Sequence, residues 1–510
     1  MFTDIFKIGR QKKDSEFSYM EAPENPTTLL NSDNIKKILG KSPDVKFRKI
    51  FIDGNEELPA TLIYIDGMVN SEQISNFILK PIITEKKFNF ARTLGEAYEL
   101  IEKGIIYFSS QQRSDDLNKI ISDILSGSSV LVFDELKKAI IFDTKGFEKR
   151  SVTEPSAENI VKGAKDSFVE NFRVNTTNVR LKIKSQNLVI EETVIGTQTH
   201  TDIAIVYMDN IVDMNIVNNV RERLSKLKVD RILTSGFLEE ALTDNIYSVF
   251  PQIRTTERPD SFCSDIIEGR VGIIIEGIPV TIIVPGTFIM FVQVSEDYSR
   301  NYIVASMIRI LRYALIFATL TLPAFFVSIT IFSPELIPTD LVLSIAQSKL
   351  GVPFPSFFET FVMLVAFEII FEAGLRMPKN IGQSVTIVGA LIVGEAAVNA
   401  KLISPAVVIV IAFTAIAGFT IPNQDLSNAL RLWRFVLTFF ASLLGLFGLV
   451  IGLILLVFHL CNIETYGVAY LSPFVSSKNN ILDDTLFRFP LRSMKNRPEE
   501  LKVKNKKRQE

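Results

Sequence analysis

Two cysteines, two histidines and one tryptophan in 510 residues leave little from which to build a reactive centre. Cys263 lies in a polar stretch and Cys461 closes an apolar one, so no disulfide framework is indicated. His200 and His459 have no metal-ligand spacing, and His459, near the end of a long apolar run, reads as an interfacial residue. No P-loop, dinucleotide fingerprint, zinc pattern or nucleophile elbow occurs. An enzyme is therefore the least expected reading, and no cofactor, metal or nucleic-acid partner is indicated. The N-terminus also lacks an apolar core of signal-peptide length. Residues 1–27 are polar and contain prolines, which reads as a disordered segment preceding cytoplasmic domains.

What the chain has is asymmetry. Charged residues recur every few positions up to residue 300, Tyr313–Cys461 is largely apolar, and residues 463–510 form a polar, basic tail. The formal net charge of −2 conceals that division.

A repeat runs through the polar half. TLIYIDGMVNSEQISNFI (Thr61–Ile78) matches AIVYMDNIVDMNIVNNV (Ala204–Val220), placing Tyr64 over Tyr207 and Asp66 over Asp209. At nearly the same distance downstream, VLVFDELKKAIIF (Val130–Phe142) and VGIIIEGIPVTII (Val271–Ile283) each read as two β runs around a turn. The expected architecture is two related α/β cytoplasmic subdomains, residues 28–150 and 151–300, followed by a polytopic α-helical membrane domain over 301–462. Asp66 and Asp209, at strand ends, either cap the next turn or helix or mark a ligand site. In TERPD (Thr256–Asp260), Arg258 either pairs with a carboxylate and fixes the second subdomain to the membrane part, or belongs to an ordinary helix start.

The first span is Tyr313–Phe332, interrupted by Pro323 and preceded by Arg309 and Arg312, which orients it by the positive-inside rule. Asp340–Gly351 is too short and polar to cross and reads as interfacial or re-entrant. Phe357–Leu375 is long enough for a ~30 Å hydrocarbon core yet carries Glu359, Glu368 and Glu372. Val385–Ala400 and Ala406–Ile421 follow as a tight pair with small residues at Gly389, Gly394, Ala396 and Ala397. Phe435–Cys461 is read as one last helix with Gly445, Gly448 and Gly452 along a contact stripe. Five passes from a cytoplasmic start would leave the basic tail outside. That conflict requires an incomplete short segment or a sixth pass by the 340–351 helix.

Carboxylates inside apolar helices are costly, roughly 2.5–3.5 kcal/mol each on insertion scales, and usually face a watery path or a bundle interior. Glu368, Glu372 and Glu395, with Asn399 one turn from Glu395, are therefore candidate ion-path or gate residues. Glu359 is expected at the interface. Glu372 has a second reading, an i,i+4 pair with Arg376 that staples the helix end. Gly374, Pro378 and Gly382 are candidate hinges, or else a helix C-cap and a tight turn.

Several longer stretches sharpen this. VTEPSAENIVKGAKDSFVENFRVNTTNVRLKIKS, TERPD, IEGRVGIIIEGIPV, SEDYSRNYIVASMIRILR, VPFPSFFE and FEIIFEAGLRMPKNIGQSVTIVGALIVGEAAV resemble the A subunit of the spore germination receptors, the GerA family. The resemblance covers about residues 30–490, in the family's order. It implies a nutrient germinant receptor subunit in the inner spore membrane, partnered by B and C subunits. It also implies an oligomeric ring acting as a ligand-gated cation channel, its gate and pore near Glu368–Arg376 and Ser384–Asn399. A non-conducting scaffold or signal-relay subunit is the alternative, and an ion-coupled transporter a weaker one. Two positions depart from the family pattern. Phe371 stands where an Arg is common, and Glu395 and Asn399 exchange carboxylate and amide one turn apart, an axial shift of ~6 Å.

Overall fold

The computed structural model describes residues 29–146, 158, 163–376, 394–475 and 484–508. The expected disordered N-terminal segment lies outside these. The chain divides into two compact units, residues 1–148 with 184–186, and residues 149–183 with 187–510.

The first unit is built on a five-stranded sheet of β1 (Val45–Phe51), β2 (Pro59–Ile65), β3 (Gln111–Ser114), β4 (Ser129–Phe133) and β5 (Lys138–Phe142), ordered β1-β2-β4-β5-β3. The second contains β6 (Leu188–Ile195), β7 (Thr201–Met208), β8 (Arg254–Thr256), β9 (Val271–Ile275) and β10 (Thr281–Val284), ordered β6-β7-β9-β10-β8. The two orders are the same and every pairing is antiparallel. The repeat is thus a duplicated topology. Even its ends coincide: the amide of Asp66 donates to the carbonyl of Asp44 at 2.8 Å, and that of Asp209 to Asn187 at 2.9 Å. Neither aspartate caps the next helix. That role falls four residues later, where Asn70 accepts from the amides of Glu72 and Gln73, and Asp213 from that of Asn215.

Both faces of the second sheet are covered, and strict alternation sorts the residues. Ile203, Ile205, Ile273 and Ile275 pack with Val217 and Val220 of the helix Met214–Lys226. Ala204, Val206 and Ile274 face the other way, against Phe262 and Ile266 of the helix Pro259–Ile267. The same layer takes in Val468, Leu501 and Val503 from the end of the chain. The segment read as a basic tail therefore contributes to a core layer. Gly269 makes room for it, with φ +105° and Val503 lying where a side chain would start. Lys504 donates its amide to the carbonyl of Ile211 at 2.9 Å, and Arg508 meets Glu268 at 2.7 Å.

The helical part comprises α1 (Tyr302–Ile331), α2 (Thr339–Ser348), α3 (Ser356–Arg376), α4 (Pro405–Gly418) and α5 (Gln424–Cys461), with a further helical turn over residues 394–399. By length and composition α1 and α5 are able to cross a membrane. Yet α5 is not one rod. In a straight helix Leu437 and Gly452 would stand about 22 Å apart. Here a Cβ on Gly452 would lie 2.6 Å from the Leu437 side chain, and the rings of Trp433 and His459 are 5.9 Å apart. The reversal occurs at Gly445, whose φ of 62° and ψ of −141° belong to a region only glycine occupies comfortably. Residues 424–444 and 446–461 are therefore two antiparallel arms, with Gly448 and Gly452 in their seam, where a helix backbone and a leucine leave no room for a Cβ. Phe332, at the end of α1, packs against the turn.

The expected single last helix is corrected accordingly. The second arm of α5 ends beside the second sheet, where His459 hydrogen-bonds Ser248 at 3.0 Å and the Tyr466 amide donates to the carboxylate of Asp244 at 2.8 Å. The tail reaches that side because the chain turns back at Gly445. Helix α2, at 10 residues, is about 15 Å long.

Leu501→Ala, removing a fully buried side chain, should destabilise the second unit by about 2–5 kcal/mol, whereas exposed Lys506→Ala should change it by less than about 0.5 kcal/mol. Denaturant unfolding of the detergent-purified chain checks both. Gly445→Ala should lower the unfolding free energy by about 1–3 kcal/mol through backbone strain, read by the same measurement.

Candidate functional site

Helix α3 forms because a long run of Phe, Ile, Val, Met and Ala from Ser356 to Arg376 contains no internal proline. It runs antiparallel to the first arm of α5, and the two are joined by charge. Glu368 accepts from Arg431 Nη1 through Oε2 at 2.8 Å and from Arg434 Nη2 through Oε1 at 2.8 Å. Arg434 is buried, and Arg431 is mostly so. The Arg431 guanidinium also lies 4.2 Å from the centroid of Phe371, which stacks on Phe419 at 5.9 Å. Glu368 is thus one carboxylate between two guanidinium groups, a cluster carrying a net positive charge. Arg431 and Arg434 are three apart, on one helix face. The spacing was readable in LRLWRF, but a helix started at Phe435 leaves both outside.

The other candidates separate. Glu359, expected at an interface, is buried: its Oε2 accepts the amide of Ser404 at 2.7 Å, at the start of α4, and Lys349 Nζ lies 3.6 Å from Oε1. It fastens α3 to α4 and to the end of α2. Glu372 meets Arg376 Nη2 at 2.6 Å within α3, both exposed, which is the stapling geometry. Glu395 and Asn399 are exposed on the turn 394–399, while Gly394 on its other side faces Val408 of α4. Gly374 sits inside α3, which continues unbroken to Arg376. Pro378 and Gly382 lie outside the described residues, and the glycine that does reverse the chain is Gly445.

A second cluster joins the sheet to the helices. Asp297, buried, receives Arg309 Nε at 3.0 Å and Arg312 Nη1 at 3.1 Å. Arg309 Nη1 also reaches Asp484 Oδ1 at 2.9 Å, and Tyr298 donates its hydroxyl to Asp484 Oδ2 at 2.6 Å. Burial and the Asp484 carboxylate both raise the Tyr298 pKa, so the hydroxyl stays a donor. Arg488 then grips the chain below, donating to the carbonyls of Arg300 at 2.8 Å and Tyr298 at 3.1 Å. Arginines placed before a first span as an orientation signal are therefore also the fastening of three parts.

Arg258 does not fix the sheet to the helices. It pairs with Asp260 at 2.8 Å and donates to the carbonyl of Ala164 at 2.9 Å, holding the segment that precedes the second sheet. Cys263 is buried in the core, which pushes its thiol pKa up to about 12 and makes it unreactive near neutrality. Among the described residues no group of three His, Cys, Asp or Glu side chains is placed to hold a metal ion.

Breaking the Glu368 pairs should be costly, because each change leaves charge without its partner. Glu368→Gln and Arg434→Gln should each destabilise by about 3–5 kcal/mol. The double variant should fall short of the sum by about 0.5–3 kcal/mol. Thermal unfolding in detergent measures all three, and strict additivity would show that the pair is not energetically coupled.

The family model for the Bacillus/Clostridium GerA spore germination protein matches residues 33–500. Spore germination protein KA of Bacillus subtilis is 36% identical over 485 residues, covering 95% of this chain and 88% of its own. Spore germination protein B1 of the same organism is 36% identical over 92% of this chain and 96% of its own length. YfkQ of B. subtilis, described only as an uncharacterized membrane protein, is 36% identical over 94% of this chain and 92% of its own. A crystal structure of the N-terminal domain of the A subunit of the Bacillus megaterium spore germinant receptor GerK3 shares 29% identity, covers 52% of this chain and 99% of that one, and has a TM-score of 0.42. On the match across nearly its whole length, the chain belongs to the GerA family of spore germination proteins.

Proposed function

We propose that this protein is the A subunit of a nutrient germinant receptor, embedded in the inner spore membrane, and that copies of it form a ring that conducts cations when partner B and C subunits respond to nutrient. The observation that carries the conducting role is Glu395. It is exposed on a helical turn packed in an apolar bundle, flanked one turn away by exposed Asn399. A lipid-facing carboxylate there would be costly, whereas a water-filled path between copies would accept it. Glu368 takes a different part. Held between Arg431 and Arg434, it has no free charge to offer a passing ion, and it couples α3 to α5 as the element on which gating acts. Glu372, stapled to Arg376 at the exposed end of α3, belongs to the same element. The cluster around Arg309 gives a partner bound to the second sheet a connection to α1.

The test is ionic current from the purified chain in planar bilayers, alone and with its partner subunits. Glu395→Gln should lower unitary cation conductance or selectivity while assembly persists. Glu368→Gln should leave conductance of the open state unchanged and shift the fraction of time it is open. A silent bilayer with all subunits assembled would favour the non-conducting scaffold instead.

A further inference from the structure

Helix α1 is 30 residues long, about 45 Å, which matches a bilayer counted with both headgroup layers (40–45 Å) rather than its ~30 Å hydrocarbon core alone. Its first turns therefore have a headgroup layer to fill. Their charged side chains, Arg309 and Arg312, point inward to Asp297. Their outward residues are apolar: Ile303 is 63% exposed, Met307 73% and Leu311 56%. At i, i+4 and i+8 these make one stripe, and Phe317 and Phe325 extend the exposed apolar surface further along the same helix.

The end of the chain lies beside those first turns. Ser306 and Arg488 exchange two hydrogen bonds, Ser306 Oγ to the Arg488 carbonyl at 3.1 Å and the Arg488 amide to Ser306 Oγ at 3.0 Å. With the Arg488 side chain turned in, its neighbours Phe487 and Phe489 are left exposed, as is Leu491 at 54%. Exposed Arg492 and Lys495 follow directly. The acidic groups nearby are engaged: Asp484 with Arg309, and Glu296 with Arg300. Glu499 and Glu500 lie beyond Pro498, on the part of the tail that docks on the sheet.

We propose that Phe487–Lys495 together with the outer face of Ile303–Leu311 is a lipid-binding collar, its aromatic and aliphatic side chains immersed in the headgroup layer and Arg492 and Lys495 set against anionic lipid phosphates. It rests on the membrane placement of α1 given above. Apolar residues flanked by cations are the composition that interfacial segments use, and anionic lipid contributes most where cations sit at the surface. The continuity of the α1 stripe selects lipid over a second protein as the covering.

Trp433 is the chain's one tryptophan, so a Trp433→Phe background permits single-site fluorescence probes. The full chain would be reconstituted in mixed phosphatidylcholine and phosphatidylglycerol vesicles, one lipid at a time carrying bromine high on its acyl chains. Phe317→Trp serves as the reference for lipid contact, and Leu491→Trp as a second probe should Phe489→Trp not fold. The collar predicts that Phe489→Trp is quenched, and more strongly by brominated phosphatidylglycerol than by brominated phosphatidylcholine. Arg492→Gln and Lys495→Gln should each reduce that preference about fivefold. A quenched Phe317→Trp beside an unquenched, blue-shifted Phe489→Trp would overturn the collar and point to a protein covering. Equal quenching by both lipids would overturn the anionic preference. If neither probe were quenched, the membrane placement itself would fall.

Discussion

The helical half of this protein is oriented by one buried guanidinium. Arg309 holds Asp297 from the sheet side and Asp484 from the returning tail, while standing on the first helix of the bundle. A buried ion pair is weak evidence of stability, because desolvation offsets most of the attraction. Its strength here is as a specification. The planar guanidinium presents its donors in fixed directions, Nε to Asp297 and Nη1 to Asp484, so it ties the helix to both neighbouring segments at once. The neighbouring Arg312 and Arg488 repeat the principle, each satisfying carbonyls that would otherwise be left without donors. Phe332 at the end of α1 packs on the Gly445 turn of α5, and α3 pairs with the first arm of α5.

The duplicated sheets were legible because strand alternation and sheet order are local and short-ranged properties. Tyr64/Tyr207 and Asp66/Asp209 mark the same position in two copies of one topology, and the structure places both aspartates at the same backbone bond. What those aspartates do was less legible. Asn70 and Asp213 cap the helices instead, since a cap must sit immediately before the first helical amide and the turn occupies the residues between.

The helical part was read less well, for a reason that also concerns locality. Hydropathy finds apolar stretches but says nothing of whether a stretch is straight. Gly445 looked like one of three small residues on a face, and the contacts of Leu437 with Gly452 and of Trp433 with His459 show that the chain reverses there. The same windowing discarded Arg431 and Arg434 as lying outside the last span, so Glu368 seemed a carboxylate without a counter-charge. Lys349 and Ser404 were equally invisible as partners of Glu359, because both are separated from it by turns whose geometry no motif announces.

Val468, Leu501 and Val503 close a core layer that Phe168 and Phe172 begin roughly three hundred positions earlier in the chain. A ribosome must therefore finish α1 through α5 before the second sheet can be covered on that face. Synthesis order is thus written into the fold: this layer of the second sheet is completed last, after helices α1 to α5, which separate its two contributing stretches in the chain.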